Sequence, residues 1–198
     1  DSKVAGLHGI YADTQTGLLI RNIGVTGAYY GIQFDNVDIS TVKSDSFVSI
    51  GNYGINLQSG SSSNTISNNE IHYSDNGGVL LVSGSNSNTV DNNISNSPPG
   101  IGIYLNGSSS NTVSRNTVNS NGEFGFFLAT SANTNTYFGN EVRLNGQGGI
   151  KILNSNTNLF YQNEITGNDT GGLFTGTASG NTVTKNNITA CNVNFIDN

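Results

Sequence analysis

The chain has 198 residues, enough for one domain with its own core, and it carries 7 Lys and Arg against 13 Asp and Glu, a formal net charge of −6. Phosphate binding needs clustered cations; no basic run is present, so a nucleic acid partner is excluded and an anionic membrane surface is disfavoured on the same ground. Charged residues make up 10% and hydrophobic ones 34%, too polar for an ordinary two-layer fold, yet the apolar residues recur on a schedule that a disordered chain lacks.

No apolar run approaches the roughly 20 residues that span a bilayer. Cys191 is the only cysteine, which rules out an intrachain disulfide and a cysteine-based metal site; no metal and no cofactor is expected. The sequence starts at Asp1 without methionine, which reads as a processed export product or an excised fragment. Acceptor sequons stand at Asn93, Asn106, Asn168 and Asn187, relevant to a chain exported from a cell that N-glycosylates.

In chain order, the first predicted strands are "GIYAD" from Gly9 and "GIQFD" from Gly31, then "GINLQ" from Gly54, "GVLLV" from Gly78, "GIYLN" from Gly102, "GFFLA" from Gly125, "GIKIL" from Gly149 and "GLFTG" from Gly172. The steps are 22, 23, 24, 24, 23, 24 and 23 residues, so the whole chain is repeat. Between them lies a second phrase, "NTISNNEI" from Asn64 to "NTVTKNNI" from Asn181, with apolar pairs Ile66/Ile71, Val90/Ile94, Val113/Val118, Tyr137/Val142, Phe160/Ile165 and Val183/Ile188. Degenerate copies, Ile20/Val25 and Val42/Phe47, precede them.

Alternation over four or five residues, broken by Gly, Asn and Ser, is a strand signal and excludes helix. A leucine-rich repeat shares the period but needs several leucines per unit, and most units here have one or none in the right place. Three short strands per unit, each coil stacked on the next, predict an all-β, single-stranded parallel β-helix of about eight to nine rungs of 22–24 residues. Residues 1–198 form one domain in this reading. Two asparagine columns are predicted to hold rung to rung: Asn64, Asn88, Asn111, Asn135, Asn158 and Asn181 at the turn entering a strand, and Asn69, Asn92, Asn116, Asn140, Asn163 and Asn186 in an amide ladder.

"GIxL" followed by "NTIxxNxI" every 22–24 residues resembles the right-handed parallel β-helix repeat of the pectin-lyase-like superfamily, over nearly the whole chain. The resemblance implies that right-handed fold and leaves function open among polysaccharide lyases, pectin hydrolases, alginate epimerases, tailspikes and adhesin-like surface proteins. Neither the "YGxDPH"-type motif of alginate epimerases nor the clustered aspartates of pectin hydrolases is found.

If the core letters of "GIxLx" point inward, the outward letters from Leu80 onward form an apolar face, Leu80, Tyr104, Phe127, Lys151, Leu153 and Phe174. It reads as an interface with another chain or as rings for stacking sugars. The enzyme candidate is Glu141, Arg143 and Glu164: two carboxylates on adjacent rungs, about 4.8 Å apart, with a cation suited to a uronate. Ordinary cross-strand pairing is the competing reading. His8, Asp13, Asp35, Asp38 and Asp45 lack a calcium-loop spacing.

No cap is evident at either end. Val4 and Leu7 at the start, and Val193 and Phe195 in the closing "VNFIDN", read as open rungs available for end-to-end assembly. The leading expectation is therefore a non-catalytic extracellular or cell-surface structural β-helix that assembles with itself into a filament. The alternative is a polysaccharide-active or carbohydrate-binding β-helix, including a tailspike-like fragment.

Overall fold

The computed structural model describes residues 6–97 and 99–197; for 173, 174 and 194–197 the backbone alone is described. Its 25 elements are all strands, and every strand pairs in parallel with its counterpart one rung away. Nine strands, beginning His8–Asp13, Tyr30–Asp35 and Tyr53–Gln58 and ending Thr170–Thr175 and Val193–Asp197, form the long sheet. Eight three-residue strands from Leu19–Arg21 to Thr182–Thr184 form the second sheet, and eight from Gly24–Thr26 to Asn187–Thr189 the third. Each circuit visits the three sheets in turn, which is the parallel β-helix expected from the period.

Corners explain the Asn, Ser, Thr and Gly content. A typical rung turns at four left-handed residues, for example Ser59, Ser63, Asn68 and Tyr73, with φ of 53°, 57°, 56° and 56°. Most corner positions carry Asn, Ser, Thr or Gly: Gly and Asn tolerate the left-handed backbone, and the Ser and Thr hydroxyls bond their own neighbourhood. Inside, four stacks run along the axis. Ile32, Ile55, Val79 and Ile103 make one, Phe34, Leu57, Leu81 and Leu105 a second, and Val42, Ile66, Val90 and Val113 a third, all buried. The fourth contains Phe47, Ile71, Val118, Val142 and Ile165. Glycine opens the long strands for a steric reason: a Cβ on Gly125 would collide with Val142 Cγ1 and the Gly149 carbonyl.

Both asparagine columns are present as ladders. Asn116 is typical: its backbone N–H and its amide both donate to Asn140 Oδ1, at 2.9 and 3.0 Å, while the amide's other proton goes to the Val90 carbonyl at 2.9 Å. The buried amides thus satisfy one another, as burial requires.

One rung differs from the expected column. Asn93, buried, is the ladder member between Asn69 and Asn116, and Asn92 is the exposed left-handed corner residue before it. The core position after Asn93 is accordingly Ser95, in register with Ile71, while Ile94 pairs with Glu70 and is 38% exposed. In "DNNI" two neighbouring asparagines compete; the constant offset of five from the first column, Asn88 to Asn93, identifies the right one. A third ladder, Asn121, Asn145 and Asn168, closes the next corner.

Candidate functional site

The outer surface of the long sheet carries the main candidate. Leu80, Tyr104, Phe127 and Lys151 stand in register on successive rungs and are half-buried, as the alternation predicts. Phe174 does not join them. Gly172 pairs with Ile150, so Leu173 is in register with Lys151 and Phe174 with the core residue Ile152. The last step of the repeat is 22 residues, one fewer than the glycines of "GLFTG" suggest, and one residue of slip exchanges the faces of a strand. Leu153, half-buried, pairs with Thr175 at the strand's end.

Tyr104 and Phe127 stack with centroids 4.8 Å apart and an interplanar angle of 9°. Lys151 places its Nζ 4.8 Å from the centroid of Phe127 and 4.9 Å from that of Phe124. These are cation–π distances, and among the described residues no carboxylate lies within ion-pair reach of this ammonium. A second outward row, absent from the sequence reading, thickens the face: Tyr53, Ile101 and Phe124, all buried. Its signal was available in the glycine doublets. A Cβ on Gly77 would meet the Tyr53 ring at 2.8 Å and one on Gly148 the Phe124 ring at 3.1 Å, so each ring folds over the glycine of the next rung. Burial pushes the Tyr104 phenol up, and pushes Tyr53 up strongly with help from Tyr104 and Glu123. These phenols stay neutral.

At the other end of this sheet His8 stacks between Tyr11 and Tyr30, with centroids 5.4 and 5.6 Å away. Asp13 and Asp35 pair in register beside them. Gln58 donates to Asp35 at 3.0 Å, and Asp38 accepts from the backbone and hydroxyl of Ser62 at 2.7 Å. No group of three metal-ligating side chains occurs among the described residues.

The Glu141, Arg143 and Glu164 cluster lies on a different face, that of the third sheet. Glu141 pairs in register with Glu164, and Arg143 bridges them, Nη2 donating to Glu164 at 2.7 Å and Nε 3.1 Å from Glu141 without the alignment of a hydrogen bond. Two carboxylates already compensate the guanidinium, which leaves it poorly suited to neutralising a substrate carboxylate. At 37–46% side-chain exposure the trio has the form of a surface ion-pair network.

The remaining predicted residues separate. Asn93 and Asn168 are buried ladder members whose amides are fully engaged, so a glycan on either is incompatible with the fold. Asn106 is half-buried and Asn187 exposed. Leu7 and Val193 are 61% and 44% exposed. Val4 and the side chain of Phe195 lie outside the described residues.

With this geometry in view the chain is placed by comparison. Residues 8–163 match the family described as right handed beta helix region, and the chain belongs to that family. Among solved structures it is similar to the A-module of the mannuronan C-5 epimerase AlgE4 of Azotobacter vinelandii (TM-score 0.83, 15% identity, 91% of this chain and 56% of that one). It is likewise similar to the periplasmic alginate epimerase AlgG (TM-score 0.77, 18% identity, 91% and 50%). The alginate lyase of Paenibacillus sp. str. FPU-7 aligns with a TM-score of 0.59 at 17% identity over 94% and 76%. At these identities the likeness is one of fold, and the chain spans about half the length of the epimerases. No curated protein matches the sequence.

Proposed function

We propose that this β-helix engages polysaccharide along the outer face of its long sheet, as a binding surface with Lys151 marking where an acidic sugar docks. The observation that carries it is the ammonium of Lys151, held over two rings with no carboxylate partner among the described residues, at the end of a half-buried apolar row. A uronate carboxylate supplies the missing counter-charge, and the apolar row suits the hydrogen-bearing faces of sugar rings. Tyr104 and Phe127 spend one face of each ring on the other and Lys151 lies over Phe127, so sugars meet the stack at its edges. The epimerase and lyase likeness favours polysaccharide over the filament expected from the sequence, whose end residues Leu7 and Val193 offer exposure alone. Turnover is not assigned, because Arg143 is already neutralised by Glu141 and Glu164.

The test is calorimetric titration with a polyuronate and with a neutral glucan of similar length. Binding of the polyuronate, weakened by salt and about tenfold weaker in Lys151→Ala, supports the reading. Equal affinity for both polymers, or none for either, refutes it.

A further inference from the structure

The second asparagine ladder ends at an acid. Asp45 occupies the rung below Asn69 and keeps the column's geometry: its backbone N–H donates to Asn69 Oδ1 at 3.0 Å, and its own Oδ1 accepts from the Ile23 N–H at 3.0 Å. It is 2% exposed. On the rungs above, the second side-chain atom is an amide nitrogen that donates to the next Oδ1: Asn69 to Asn93 at 2.9 Å, Asn93 to Asn116 at 3.0 Å, Asn116 to Asn140 at 3.0 Å and Asn140 to Asn163 at 2.8 Å. At Asp45 that atom is Oδ2, buried and without a hydrogen-bond partner among the described residues. Asn69 has nothing to give it, since its two amide protons go to Val42 O and Asn93 Oδ1.

We propose that Asp45 is a proton-operated latch at this corner: as the neutral acid its Oδ2–H donates to Asn69 Oδ1 and completes the ladder, and its ionisation loosens the first two rungs between the second and third sheets. An ionised Oδ2 is a buried acceptor without a donor, whereas a single proton restores the rung-to-rung bond that each amide above makes to the next Oδ1. Burial raises the carboxyl's pKa, against hydrogen bonds from the Ile23 and Lys43 backbone that lower it. No charged neighbour contributes. Arg21 and Lys43 on the second sheet and Glu70 and His72 on the third occupy outward positions of their strands, flanking core Ile20, Val42 and Ile71. Release has somewhere to go: a groove of about 480 Å³, lined by Asn22, Ser44, Asp45, Asn68 and Glu70, lies over the corner and admits water once it opens.

The sign follows from the raised pKa. The latch contributes fully below the unfolded value of 3.8 and is lost as pH rises through the higher folded value. The experiment uses the whole chain and its Asp45→Asn variant, which installs the column's own residue. Carboxyl carbon NMR of the wild type should show Asp45 titrating above an ordinary aspartate, and amide exchange at Ile23 and Asp45 should accelerate as pH rises through that titration, about tenfold per unit of the shift measured, after correction for intrinsic exchange. In Asp45→Asn this extra acceleration should vanish. An ordinary or depressed titration of Asp45 overturns the latch even if the variant fails to fold, and so does an acceleration that survives in Asp45→Asn.

Discussion

Tyr137 sets a sharp test of how this core is held. Its ring is fully buried, stacked on Phe160 at 4.5 Å and 11°, with Phe126 at 5.1 Å, and its hydroxyl has no hydrogen-bond partner among the described residues. In the unfolded chain that hydroxyl is hydrated. Folding strips the water and returns nothing, at a cost of about 1–3 kcal/mol. Tyr137→Phe removes only the oxygen and keeps both ring contacts, so the cavity left is small and the expected gain is about 1 kcal/mol. Urea unfolding measures it as a rise in midpoint at unchanged m-value. The same replacement changes the alkaline limb. Burial raises the Tyr137 pKa well above 10, so the unfolded chain releases this proton first and stability falls as pH rises above about 10, by about 1.4 kcal/mol per unit for one group. The variant should lack that one-proton slope. A loss of 1 kcal/mol or more in Tyr137→Phe would refute the reasoning, because it would mean that the hydroxyl has a partner in solution.

Asn140→Ala deletes four side-chain hydrogen bonds and leaves the buried Asn116 backbone N–H without its acceptor, while Asn163 Oδ1 keeps the residue-140 backbone N–H and the Asn116 amide keeps the Val90 carbonyl, so a loss of about 3–5 kcal/mol is expected by the same unfolding assay. Ile39 is a β-branched residue at φ 51° and 69% exposed; Ile39→Asn should raise stability by about 1 kcal/mol, read as a higher unfolding midpoint. Arg143→Ala should cost no more than about 1 kcal/mol and leave polyuronate affinity unchanged in calorimetry, since its charge is spent on Glu141 and Glu164 at the surface.

The solenoid was legible because its constraints repeat. A core residue such as Ile66 is constrained by Val42 below and Val90 above, so one period read over eight copies averages out local exceptions. Ser95 is such an exception. A polar residue at a core position is invisible to apolar periodicity, and it lives there because its hydroxyl reaches the Gly102 carbonyl at 3.2 Å. Phe174 was misplaced for the opposite reason: a glycine pair at 171 and 172 gives two equally good starts to the strand, and only pairing with Ile150 and Ile152 chooses between them.

Outward letters are harder to read than inward ones, because nothing on the next rung forces them. Asn64 through Asn181 must be alike since each amide is its neighbour's partner, and that mutual need makes the column a skeleton with little room for selective chemistry. Function, where it exists, has to come from positions at which neighbouring rungs differ. On the long sheet the row passes from Gln33 and Asn56, both buried, to Leu80, Tyr104 and Phe127 and then to Lys151, changing from amide to apolar to cationic within six rungs. A polymer lying along the axis meets a different group about every 4.8 Å. The third sheet offers Glu141 and Glu164 with Arg143 between them, a set that closes on itself. The contrast between an ammonium without a carboxylate among the described residues and a guanidinium with two is what directs the binding experiment to Lys151.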